Sequence, residues 1–237
     1  MAISQARCGL RTLRETVESM NGGTKIVICE TLQSEALAAL RLEGLEGAEV
    51  ITLPPLDTDG NGVHVPYERL TPTDAICLVT GDCLPSGIVL PNEYRFVHAL
   101  RTTRAYELLT TNVVLDQLLL EGAHIVLPGW VANWKNYLKV QDEKLFRKGF
   151  QETALKIVML ETGVVDHASE LRGFSRFVRL PFEIIPIGLE LFSSRLAKGV
   201  VMSNFLKEQA KRRALEVLGT SNFGNGRTAP SSLPLAR

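Results

Sequence analysis

Four short runs of apolar and β-branched residues, each closed by a turn signal or a helical pattern, constrain this chain more than any other feature. They are KIVIC (Lys25–Cys29), AICLVT (Ala75–Thr80), HIVL (His124–Leu127) and IVML (Ile157–Leu160). Runs this short and this continuously apolar fit strands covered on both faces, as in a parallel sheet. After the first run, Thr31 stands at an N-cap position, and Leu32, Ala36, Leu37, Leu40 and Leu42 mark an apolar helix face that Gly44 and Gly47 close. Val50–Leu53 then reads as a strand stopped by Pro54 and Pro55. The unit is β-α-β.

The rhythm repeats down the chain. Ala105–Leu109 reads as a short strand, Val113–Leu120 as a helix, and the HIVL strand ends at Pro128-Gly129-Trp130. Helices over Ala132–Val140 and Glu143–Leu155 precede IVML, and Ala168–Phe177, Phe182–Ile187 and Leu189–Leu196 follow as helix, strand and helix. This order predicts an α/β fold, a doubly wound, mostly parallel sheet with helices on both faces, in one body or two lobes. A helical arm over residues 1–23, with Leu10, Leu13 and Val17 at helical spacing, precedes an α/β domain at 24–200. An amphipathic helix at 201–219 and a tail at 220–237 rich in Gly, Ser, Asn and Pro follow; the tail reads as disordered.

Charge and composition exclude several function classes. The 237 residues carry 26 lysines and arginines against 26 aspartates and glutamates, so no excess positive charge favours nucleic acid. With 45% hydrophobic and 22% charged residues the chain has a globular composition. The charged N-terminus lacks the apolar stretch of a signal peptide, and runs such as Ile184–Leu191 fall short of the ~20 residues that span a bilayer. A cytoplasmic protein without a membrane partner is expected. Cys8, Cys29, Cys77 and Cys83 are too sparse for a disulfide framework and read as reduced thiols.

Ligands of open parallel sheets collect outside the carboxyl ends of strands, which directs attention to three places. The candidate ligand-binding residues are Cys29, then Gly81, Asp82, Cys83 and Gly87, then Gly129, Trp130 and Trp134. Backbone amides around Gly81 and Gly87 can cradle a ligand, but the loop is neither a Walker-type loop nor a dinucleotide fingerprint. Asp82 would repel a phosphate, so a neutral or cationic small molecule suits it better. Trp130 and Trp134, four apart, fall on one face of a helix and can wall a pocket. Each feature has a packing alternative: glycines turn chains, tryptophans plug cores and cysteines pack as small hydrophobes.

Cys29 and Cys83, with His98 or His124, carry the donor types of a zinc or iron site, although no C-x-x-C pair is present. Cys83 is also a candidate nucleophile without an identifiable base partner. Asp57, Asp59 and Asn61 mimic the start of a calcium loop, but no glutamate follows at the required spacing. His64 and His167 read as surface residues.

The segments KIVICETLQSEALAAL, VTGDC and HIVLPGWVANWKNYL resemble a family catalogued only as a domain of unknown function, found in archaea and bacteria. KIVMLETGVVDHASELRGF and LPFEIIPIGLELF resemble the branch in which this domain precedes a bacterial sensor histidine kinase, and together the likeness covers residues 25–198. The resemblance implies a small-molecule-binding sensory or regulatory module linked to two-component signal transduction, and it brings neither an activity nor a cofactor. After Leu218 the sequence departs from that branch into a low-complexity tail, so signalling output is expected on another chain, reached through the C-terminal helix. Two other readings compete: a thiol- or metal-dependent enzyme acting on a small substrate, and a protein-interaction scaffold.

Overall fold

The computed structural model describes residues 22–55, 65–82, 88, 90–138 and 142–223. The expectations for Cys8 and the arm at 1–21, for Asp57, Asp59, Asn61 and His64, for Cys83 and Gly87, and for 224–237 lie outside the described residues.

The chain is α/β, with parallel strands in two sheets. The first holds β1 (Thr24–Cys29), β2 (Glu49–Leu53), β3 (Ala75–Thr80) and β4 (Phe96–Arg101) in the order β2-β1-β3-β4, and every neighbouring pair is parallel. The second holds β5 (Ala123–Val126), β6 (Lys156–Glu161) and β7 (Phe182–Pro186), also parallel and in chain order. The helices are α1 (Gln33–Leu42), α2 (Asn112–Leu120), α3 (Pro128–Ala132), α4 (Trp134–Tyr137), α5 (Glu143–Thr153), α6 (Ala168–Val178) and α7 (Glu190–Phe223). Among the described residues no helix is long and apolar enough to cross a membrane.

Successive side chains of a strand point to opposite faces, and this sorts the core of the first sheet. Ile26, Ile28, Cys77 and Val79 face a cluster with Ala36, Ala39 and Leu40 of α1 and Phe192, Leu196 and Val200 of α7. Val27, Cys29, Ile51, Ile76 and Leu78 face the other way, where Val65, Leu70, Leu90 and Tyr94 cover them from turn segments. In the second sheet, Leu115 and Leu118 of α2 cover Ala123, Ile125, Val158 and Leu160. Residues of α3, α4 and α6 cover the opposite face.

Several expectations needed correction. Ala105–Leu108 is a 3-10 turn rather than a strand, and the strand of that region is the preceding β4. Thr31 is not an N-cap: it lies in a 3-10 turn (Glu30–Leu32) and its hydroxyl donates to Cys29 Sγ at 3.1 Å. Leu37 and Leu42 are exposed rather than part of the α1 core face. The helix expected from Ala132 begins at Pro128 and divides at Asn133. A proline at the first helical position forfeits no hydrogen bond, so Pro128 starts α3 rather than simply ending β5. The helices expected at Leu189–Leu196 and 201–219 belong to one 34-residue helix.

Strand order locates the switch point. From β1 the chain moves outward to β2, returns past β1 to β3, and then moves the other way to β4. Connections therefore leave β1 and β3 in opposite directions, and a crevice opens between their carboxyl ends.

Candidate crevice at the carboxyl edge

The crevice of about 610 Å³ at this point draws on the carboxyl end of every strand of the first sheet. Thr31 follows β1, Pro55 follows β2, Asp82 follows β3 and Arg104 follows β4. The opposing wall is β5 along its whole length, continuing into Leu127. Trp130, Leu138, Phe146 and Phe150 close one side, and Tyr106 and Leu119 the other.

Local structure fixes these walls. Asp82 turns back so that Ala105 N donates to its Oδ1 at 2.7 Å, joining the loops that leave β3 and β4. The Arg104 guanidinium lies 5.8 Å from the centre of the Tyr106 ring, within cation–π range. His124 packs edge-on against Phe150, with ring centroids 4.4 Å apart, and burial pushes its pKa below the usual histidine value. A half-buried neutral imidazole in an aromatic setting keeps a hydrogen-bonding nitrogen without bringing charge into the crevice.

The candidate residues part company here. Asp82, Trp130 and His124 line the crevice. Gly81 and Gly129 serve close packing: a β-carbon on Gly81 would lie 2.9 Å from Ala105 N, and one on Gly129 would overlap the Thr31 carbonyl. Trp134 is 8% exposed and plugs the core against Phe174 and Phe177, with centroids 5.4 and 5.0 Å away. Both indoles meet Phe174, Trp130 at 5.1 Å, but Trp130 is only half-buried and keeps part of its surface on the crevice, whereas Trp134 does not line it.

The thiol and metal candidates are separated. Cys29 is 1% exposed beneath the first sheet, His98 lies on β4 in register with Cys77, and His124 belongs to the second sheet. Among the described residues no group of three or more His, Cys, Asp or Glu side chains is arranged to hold a metal ion. Burial holds the Cys77 thiol at about 12, so it stays protonated at physiological pH.

Two long-range polar contacts were not legible in the sequence. Tyr137 Oη donates to Glu30 Oε1 at 2.9 Å, and burial together with that carboxylate raises the phenol's pKa. Thr162, just past β6, donates to Glu35 Oε1 at 3.2 Å, while Glu35 Oε2 is buried with no hydrogen-bond partner among the described residues. Each pair joins residues more than a hundred positions apart, so no local pattern announces it. Comparison of the chain with family models, curated proteins and solved structures found no match.

Proposed function

We propose that this protein is a small-molecule-binding module whose ligand sits in the crevice between the carboxyl edge of the first sheet and β5. The observation that carries this reading is the convergence of four strand ends with an aromatic wall of Trp130, Phe146 and Phe150 on one cavity. A cavity of about 610 Å³ is in the size range of small-molecule sites, which are mostly apolar with a few placed polar groups. Asp82, Arg104 and His124 supply such groups here. The role is sensory or regulatory, in a cytoplasmic setting, with α7 as the route by which occupancy reaches a partner protein.

A thermal-shift panel of planar aromatic and heteroaromatic compounds tests the site. Binding to the native state raises Tm by mass action. Members of the panel should raise Tm of the wild type, and of Trp134→Phe, but not of Trp130→Ala measured against its own unliganded value. A panel that shifts Trp130→Ala equally would refute the reading, as would the absence of any shift when short apolar peptides are included in the panel.

A further inference from the structure

We infer, taking the crevice reading above as its premise, that the ligand is a short peptide, or a chain of secondary amides of the same geometry, held extended along the open edge of β5. β5 ends its sheet: it pairs with β6 on one side, and no strand among the described residues pairs with the other. Its side chains alternate as they must. Ala123 and Ile125 join the cluster under α2, while Val126 joins the opposite cluster with Val131 and Trp134. Yet all four residues of the strand line the crevice. A cavity meets consecutive residues of both orientations when it lies against the strand's edge, where the main-chain N–H and C=O groups point.

That edge faces the crevice while the side chains on either face of the strand are packed. Ala123, Ile125 and Val126 are 7%, 8% and 4% exposed, because their side chains are packed in the clusters on the two faces of the sheet, which leaves the crevice as the approach to the strand's edge. The outward backbone donors and acceptors have no strand partner among the described residues, and a ligand offering alternate donors and acceptors at strand spacing can take the place of water on them. An extended peptide has this pattern built in, at roughly 3.3 Å per residue, and adding a strand to an open edge is an established mode of peptide recognition. Its side chains would alternate between the Trp130 and Phe150 wall and the Tyr106 and Leu119 wall, which selects apolar or aromatic residues.

The test uses the full-length, nitrogen-15-labelled chain and pools of N-acetylated, C-amidated hexapeptides with aromatic or branched apolar residues at alternate positions. At least one pool should slow hydrogen exchange of the outward amides within 123–126. In the best peptide, N-methylating alternate amides in one register should weaken binding by about tenfold, the scale of one or two hydrogen bonds, while the other register changes little. Absence of protection from every pool, or equal binding by both methylated registers, would overturn the peptide assignment. If aromatic compounds still raise Tm through Trp130 in that case, the crevice reading stands and only the ligand class falls. If neither peptides nor compounds bind, both fall.

Discussion

Gly129, the second residue of α3, packs so closely on Thr31 that a β-carbon there would overlap the Thr31 carbonyl oxygen and lie 2.8 Å from its carbon. This contact seats the start of α3 on the turn that leaves β1, and so sets the distance between the two walls of the crevice. Gly129→Ala must push one backbone off the other, since no flexible side chain can yield. Overpacking of this kind costs ~1–3 kcal/mol. Urea unfolding should show a lowered midpoint with an unchanged slope, accompanied by weaker crevice binding; an unchanged midpoint would show that the two segments part freely.

The two tryptophans should separate stability from binding. Trp134 is enclosed by Phe174 and Phe177, so Trp134→Ala leaves a large hole and should cost ~3–5 kcal/mol. Trp130 is half-buried, with an edge contact of 5.1 Å to Phe174 and another part of its surface on the crevice. Trp130→Ala should cost less stability and abolish ligand-induced Tm shifts. Equal stability losses would contradict this division.

Glu35 makes stability depend on pH in a direction opposite to that of most carboxylates. At 2% exposure, burial outweighs its hydrogen bonds and raises its pKa above the ordinary value of 4.5. The folded state then holds a proton that the unfolded state has released, so this contribution is full below 4.5 and is lost as pH rises through the folded value. Glu35→Gln should therefore flatten the fall in unfolding free energy above pH 4.5 and leave the variant relatively more stable at neutral pH. Parallel slopes for the two proteins in urea titrations across that range would rule the effect out.

Cys77 and Gly199 give a chemical probe of the helix that covers the first sheet. A β-carbon on Gly199 would sit 2.6 Å from Cys77 Sγ and 2.8 Å from a Leu100 methyl carbon. In the native protein Cys77, with its thiol at about 12, should resist iodoacetamide at pH 8 and be labelled on unfolding. Gly199→Val should lift α7 locally, cost ~1–3 kcal/mol and speed Cys77 labelling at least several-fold. Peptide mapping by mass spectrometry reads this directly; rapid labelling of the wild type would mean the sulfur is accessible.

Much of the fold was legible because its buried strands are nearly continuous apolar runs. β3 is buried at every position, and the four interior positions of β6 are buried, as AICLVT and IVML suggest. β4 escaped notice for the converse reason. FVHALR is an edge strand, buried only at Phe96, and His98 and Arg101 break its apolar pattern. Ala105–Leu109 imitates a strand because its buried residues serve a compact turn under α7 rather than a sheet. α7 read as two helices because its apolar first part gives way to a charged amphipathic one; Gly199 does not break it and packs close to Cys77. At the site, Asp82 and Trp130 were visible as strand-end residues. Arg104, Tyr106 and Phe146 were not, and neither was the Glu35–Thr162 pair elsewhere, because their positions follow from how distant segments meet.

The course of α7 also bears on how the protein is made. Its first turns take over the buried face of the opening sheet: Phe192, Leu196 and Val200 lie against Ile26, Ile28 and Cys77. Further along, Lys207 reaches the Gly22 carbonyl. During synthesis, β1 to β4 leave the ribosome long before α7 exists, and the face it will cover stays bare through the whole of β5 to β7. The first sheet begun is thus the last completed, and a nascent chain halted after β7 would present an apolar surface for chaperones to hold.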